Sequence, residues 1–492
     1  MGAEVAARAA RGAEPRALVL ALALALGCIP TEPPRGAAGE GDAGGPLTAI
    51  VGATVIHPER DGADAVTPDA TVLIAGSRIT AVGPARSIKL PPGARVIDAH
   101  GKWLIRGLID GHVHFFQSGN LYTRPDVVDF GALAPYANED ARNRARLPAT
   151  FAVWLASGVT GVVDVGGPMW NFAVRDAARA AEWAPRVKVA GPLISMIDRK
   201  ALDLGDPPII RAASIAEAEA LVARELARHP DYVKVWFIHQ PGDDLAAQEA
   251  IVKATGDAAH AAGVPLAVHA TELATAKSAL RAGADYLVHS VEDVAVDEEF
   301  LALAKRNHAL YCPTLFVGEG YALALSNRWR PTEAETRLAD PQVLGALRDL
   351  DQLAPEQLPP RIVKAIARAE PVAVPDVLFA NLRAVRNAGI PVVMGTDAGN
   401  IGTLHGPSVF REMALMEEAG LSRLEVLRSA TTNGARALRM ADQLGAIAPG
   451  RLADLVILDG DPLADLANLS RAAWVVRDGR AARPEALLAP WK

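Results

Sequence analysis

Eight short apolar runs, each leaving through a polar or glycine-rich exit, divide the middle of this chain. They are WLIRGLIDGHVH from Trp103, GVTGVVDVGG from Gly158, RVKVAGPLIS from Arg186, DYVKVWF from Asp231, VPLAVHATE from Val264, ADYLVHSVE from Ala284, HALYCPTLF from His308 and IPVVMGTDAG from Ile390. Between them lie stretches rich in Ala, Leu, Glu and Arg at helical spacing. One of these, SIAEAEALVARELARH, begins on Ser214 as a helix cap. Strands separated by helices pair in parallel, so the pattern predicts an α/β protein of repeated β–α units. Eight units predict a closed (β/α)8 TIM barrel, with its active site at the C-terminal strand ends. One connection, about 318–374, is longer and proline-rich, which fits a lid or pocket wall.

The flanks follow another rhythm. From Thr48 to Leu104 short β-branched runs are broken by turn residues, and the pattern returns in GRLADLVILDG and RAAWVVRDGR near the far end. Both read as small antiparallel sheet structure.

The first 28 residues read as a leader. Arg8, Arg11 and Arg16 precede ALVLALALALGC, an apolar run of signal-peptide length and too short to span a bilayer. It ends on Cys28 in a lipoprotein-like setting; a plain cleaved signal peptide is the alternative. Residues 29–46 are Gly/Pro-rich and suit a flexible tether. The expectation is export to a bacterial periplasm or cell envelope, with membrane contact only through a lipid on Cys28. Lipidation would leave Cys312 as the one free thiol, so no disulfide is expected. With 50 basic and 57 acidic residues, net charge −7, the chain carries no electrostatic footprint for nucleic acid. Homo-oligomer formation is left open.

Chemistry collects at the strand exits. His112 and His114 sit two apart and share a strand face. Lys234, His269, His289 and Asp397 occupy matching places in other runs. Val233, Val235 and Phe237 form a greasy face opposite Lys234, which aims the lysine inward; Val268 and Val288, facing outward, do the same for His269 and His289. Any one of these has an ordinary structural explanation, but their joint placement on the catalytic face points to metal. Six groups suit two divalent ions, zinc first, with manganese, cobalt and iron as alternatives. A carbamate on Lys234, made from CO2, supplies two oxygens to bridge them. A metal-bridging hydroxide would attack the scissile carbonyl, and Asp397 would act as general base, then acid.

At these residues the chain resembles the amidohydrolase superfamily, over nearly everything from Thr48 to Arg480. GLIDGHVHF, GVTGVVDVGG and GTDAGN…HG…REM are similar to its first, second and eighth strand motifs. The segment from EVLRSATTNGARAL to DLVILDGDPL is similar to its exit from barrel to sandwich. The resemblance implies that His112, His114 and Asp397 bind a buried α-metal and that His269 and His289 bind a β-metal, with carboxylated Lys234 between them. It also implies a discontinuous β-sandwich from residues 47–105 and 441–485 around a barrel of residues 106–440. Within the superfamily the imidazolonepropionase-like and prolidase-like branch is nearest, whose members with a fourth-strand lysine include Xaa-Pro dipeptidases. Imidazolonepropionase itself, mononuclear and without that lysine, resembles the chain less. Two departures, VKVWFIHQPGDD after strand four and PLISMIDRK after strand three, fall where the substrate pocket is shaped.

The expected activity is therefore hydrolysis of an amide in a small-molecule substrate, a dipeptide or N-acyl amino acid. Cyclic amides or esters are the alternative, and a non-catalytic membrane-anchored binding lipoprotein is the alternative of another class. Arg199, His239 and His405 are the candidate substrate-binding residues. Trp170 and Trp236 could wall an apolar pocket. His57, His100, His229, His260 and His308 lie away from the strand exits and read as structural.

Overall fold

A computed structural model describes residues 46–368 and 372–491. The leader, Cys28 and the tether up to residue 45 lie outside the described residues. Among the described residues, no helix is long and apolar enough to cross a membrane.

The two ends of the chain meet in one eight-stranded sheet. Its order is Arg480–Ala482, Ala472–Arg477, Leu455–Leu458, Trp103–Arg106, Leu47–Ile56, Val66–Ala75, Arg78–Pro84, with Arg95–Asp98 also pairing Leu47–Ile56. Most pairs are antiparallel, as the flanking rhythm suggests. Leu47–Ile56 is the exception, running parallel to both Arg95–Asp98 and Trp103–Arg106. Alternation along these strands sends Ile50, Val72, Leu104, Leu455 and Ile457 into one apolar layer.

The middle of the chain pairs in parallel throughout. Leu108–Val113, Val159–Asp164 and Arg186–Val189 form one sheet; Ile209–Arg211, Leu193–Ser195, Val233–Trp236, Leu266–His269, Tyr286–Val288 and Leu310–Cys312 form another. The third apolar run is thus two strands, interrupted at Gly191 and Pro192, because proline cannot donate to a ladder. A single bridge, Ala190 to Tyr232, joins the two sheets. The eighth run forms no ladder of its own. It lies between its neighbours by single bridges, Tyr311 to Val392 and Val113 to Ala398. Gly111 N–H donates to Met394 O, Asp397 N–H to His112 O, and His114 N–H to Ala398 O.

Outward residues such as Val235, Val268 and Leu287 join the core under the helices, while Tyr232, Ala267, Tyr286, Cys312 and Val393 pack inside. Ser214 caps the helix Ile215–Leu226 by accepting from Glu217 N–H, as its sequence predicts. The long connection holds the helices Phe316–Leu325, Glu333–Leu338, Pro341–Ala346 and Pro360–Ala367. The first, third and fourth give apolar residues to a small core with Leu121, Val128, Phe130 and Leu404, while Leu338 of the second packs with Ala152, Val153 and Leu488.

Candidate active site

His112 and His114 stand at the exit of strand Leu108–Val113, where the register against Val159–Asp164 slips between Asp110 and Val113. Such a slip re-aims the side chains at a strand end. Asp110, fully buried, ties this exit to the eighth run: it accepts from His112 N–H, from Thr396 N–H and from the Thr396 hydroxyl at 2.6 Å. The imidazoles converge as a result. His112 Nε2 and His114 Nε2 lie 3.3 Å apart, and Asp397 Oδ1 is 3.2 Å from the first and 3.1 Å from the second.

His269 reaches the site by plain alternation. His289 does not. Val288 packs inside with Ala267 and Tyr286, so alternation would send His289 outward, against the sequence expectation that Val288 faces out. The strand ends at Val288 and His289 takes φ 79°, a left-handed backbone that turns its ring inward. Asp397 likewise has φ 59° and Thr314 φ 45°. Backbones this costly for non-glycine residues persist where the surroundings hold them, commonly at functional sites. The rings of His289 and His269 then lie 4.4 Å apart, centroid to centroid, and those of His289 and His112 4.7 Å. Thr314 Oγ1 lies 2.7 Å from His289 Nδ1.

The hydrogen bonds around His114 decide what the cluster wants. Its Nδ1 is 2.6 Å from the carbonyl oxygen of Gly166, which can only accept, so Nδ1 carries the proton. A neutral ring then presents a bare Nε2 lone pair to the Asp397 carboxylate at 3.1 Å. Two lone pairs at that distance require a positive charge between them. His112 Nε2 faces the same oxygen, and Asp397 Oδ1 has no hydrogen-bond partner of its own. One proton cannot serve three converging acceptors; a divalent cation can. These three residues form the group among the described residues whose ligand atoms could hold a metal ion.

The electrostatics agree. Burial, only partly offset by Asp397, pulls His112 down to about 4, and burial with neighbouring positive groups pulls His269 and His289 well below their ordinary value. These shifts favour the neutral rings, which keep lone pairs to give. Burial also pulls Lys234 down to about 7, against opposing pulls from Asp397 and Cys312, so a sizeable fraction is free amine near neutrality. Asp397 goes the other way: burial would raise it, but His112, His114 and His289 around it hold it well below the carboxylate range.

All six residues line one cavity of about 600 Å3, whose walls include Trp236, Leu193, Leu202, Ile209, Arg124 and Tyr321. The long connection contributes Val317, Gly318, Glu319, Ala373 and Val374 to it.

The amidohydrolase family profile matches residues 103–478, three quarters of the chain. This chain belongs to the amidohydrolase family. Among curated relatives it is 26% identical over 432 residues to an imidazolonepropionase of Rhizorhabdus wittichii, covering 82% of this chain and 90% of the relative. Among solved structures it is similar to a prolidase in complex with N-methylphosphonate-L-proline (26% identity, 89% and 99% of the two chains, TM-score 0.66). It also matches a Xaa-Pro dipeptidase with methionine bound in its active site (24%, 89% and 99%, TM-score 0.66), a likeness of fold. The amidohydrolase is thus a hydrolytic enzyme of carbon–nitrogen bonds, and its fold neighbours are of the TIM-barrel type.

The three substrate candidates stand elsewhere in this amidohydrolase, outside the lining of the metal cavity. Arg199 lies 4.8 Å over the Trp236 ring and brings Nε to 3.8 Å from Asp126. His239 pairs with Gln248 at 2.8 Å. His405 places Nε2 3.1 Å from the backbone carbonyl of His114 and stacks on Phe115, so it supports His114 from behind. Trp236 lines the cavity, whereas Trp170 lies under the Arg144 guanidinium. Arg124, Tyr321, Asn400 and Thr314 line the cavity without having stood out in the sequence. They come from loops and from the long connection, where no periodicity marks a residue as inward.

Proposed function

We propose that this protein is a binuclear metal-dependent amidohydrolase that cleaves the amide bond of a dipeptide or N-acyl amino acid. The observation that carries the reading is the convergence of His112, His114 and Asp397, three acceptors within 3.3 Å of one another in a site shared with His269, His289 and a lysine held near neutrality. On this reading the two parallel sheets and the eighth run close as a (β/α)8 barrel, and the end-joining sheet is one layer of a sandwich. His112, His114 and Asp397 would hold one ion, and His269 and His289 the second. The free amine of Lys234 would attack CO2, forming a nitrogen–carbon bond and releasing a proton, and the resulting carbamate would bridge the two.

Bound divalent ions, zinc first, supply a polarised carbonyl and an acidified water. The rest is the work of the chain. Asp397 Oδ2, facing His289 Nε2 at 3.9 Å, takes the water's proton and returns it to the leaving nitrogen. Thr314 and the Gly166 carbonyl fix the rings of His289 and His114 through Nδ1, which would leave their Nε2 atoms to hold the ions. The composition of the first 28 residues supports a place of work outside the cytoplasm, with Cys28 as anchor.

A second reading, hydrolysis of a cyclic amide, is supported by the imidazolonepropionase relative. One experiment separates them: metal analysis of zinc-loaded protein prepared with bicarbonate, followed by amino-acid release from a dipeptide and N-acyl-amino-acid library. Two metals per chain with release from a subset is the expected result. Two metals with turnover of lactams or imidazolones alone would replace the first reading by the second, and one metal per chain would remove the binuclear claim.

A further inference from the structure

Asp126, 5% exposed, is held by two guanidinium groups. Arg124 donates to it twice, Nε to Oδ1 and Nη2 to Oδ2, both at 2.7 Å, and Arg199 approaches Oδ2 to 3.8 Å. Two cations share one anion, which leaves an excess positive charge. Of the three acids lining the same cavity, Glu319 is matched by Arg411 at 3.0 Å, Asp397 lies against His112 and His114 at 3.2 and 3.1 Å, and burial raises the pKa of Glu292.

Arg124 faces the cavity. Its Nη1 donates to Asn400 Oδ1 at 2.8 Å and lies 3.4 Å from the Tyr321 hydroxyl. A guanidinium has five N–H bonds, and these contacts occupy four of them, leaving one on Nη2. Beside it, Leu193, Leu202 and Ile209 form a small apolar cluster with Trp236 packed against it, and all four line the cavity. Arg199 is not part of the lining and lies over the ring of that tryptophan, 4.8 Å from its centroid.

We propose that Arg124 binds the free carboxylate of an amino acid whose apolar side chain rests on Leu193, Leu202, Ile209 and Trp236. The leaving half of the substrate is then a hydrophobic, carboxylate-bearing amino acid. Asp126 orients Arg124 for this, and Arg199 offsets the charge of Asp126. The proposal rests on the amide-hydrolase reading, whose product such an amino acid would be.

The test is calorimetric titration of the metal-loaded full chain with L-leucine and with L-leucinol, which lacks the carboxylate. L-Leucine is expected to bind about tenfold more tightly than L-leucinol. Arg124→Gln should abolish the difference and Arg124→Lys should keep part of it. Arg199→Gln, at a third-exposed position that folding tolerates, should shrink it because Arg124 is then fully matched by Asp126. Equal binding of the two ligands by the unaltered protein overturns the proposal. So does tight L-leucine binding that Arg124→Gln leaves unchanged, which would put the carboxylate on the metals alone. Neither ligand is hydrolysed, so a protein that binds as expected yet cleaves no amide would sink the activity reading and leave this one standing.

Discussion

Two buried carboxylates, Asp397 and Asp454, show what separates a site from a seam. Both sit below their ordinary titration range in spite of burial. Asp454 belongs to the end-joining sheet region and is fully answered: Arg186, from strand Arg186–Val189, donates to it twice, at 2.7 and 3.2 Å, and Asp478 N–H donates at 2.9 Å. Asp397 is answered by rings that cannot all donate, keeps one oxygen without a hydrogen bond, and sits on a left-handed backbone. A satisfied buried charge ties parts of a fold together. A buried charge left facing lone pairs is waiting for a ligand.

The comparison breaks most sharply at Asp397. Asp397→Asn should lower kcat about 10³-fold, by steady-state kinetics, because the group that moves the proton is gone. The same change should move the melting temperature of metal-stripped protein far less than it moves kcat; a large fall there would mean Asp397 is as well satisfied as Asp454. Arg186→Gln should do the reverse. It removes the nearer of the two guanidinium groups facing Asp454, leaving Arg477 at 3.7 Å, and should cost up to about 3 kcal/mol in denaturant unfolding, with kcat of the folded fraction unchanged. A smaller effect is expected at Thr314→Val, which frees the His289 ring: zinc affinity by competition with a chelator should fall about 10- to 100-fold while stability barely moves.

The smallest effect is a slope. The depressed pKa of Asp454 contributes stability that is fully present above the unfolded value of 3.8 and is lost as pH falls through the lower folded value. Acid unfolding below about pH 4 should therefore be less steep in Asp454→Asn, compared by denaturant midpoints across pH. An identical slope would show that Arg186 holds Asp454 no better than water does.

Much of the site was legible because a strand turns spacing into direction. Lys234 and His269 are inward for the reason the sequence offers, the greasy outward set of Val233, Val235 and Val268. The ends of the flanking regions were legible as sheet, though not the parallel pairs within it, since pairing direction depends on partners distant in sequence. His289 reaches the expected place by another route, a φ of 79° that no residue pattern announces. The third run was read as one strand although Pro192 interrupts it. Arg124, ten residues past His114 in an irregular loop, carried no signal, because its direction is set by Asp126 and Asn400 rather than by a repeating backbone.

The sheet that joins the two ends has a consequence for how the molecule is made. Leu104 pairs with Ile457, and Trp103 with Leu458. At ordinary rates of synthesis, roughly 350 residues and some tens of seconds separate the emergence of these partners from the ribosome. Strand Trp103–Arg106 must wait through that interval with one edge unpaired, while Leu47–Ile56 already has its partners Val66–Ala75, Arg95–Asp98 and Trp103–Arg106 on the chain. Assembly of the enzyme is therefore completed at its margin and not at its centre, and a chain cut short after residue 440 would possess all six residues of the cavity cluster and still lack the strands that close its first sheet.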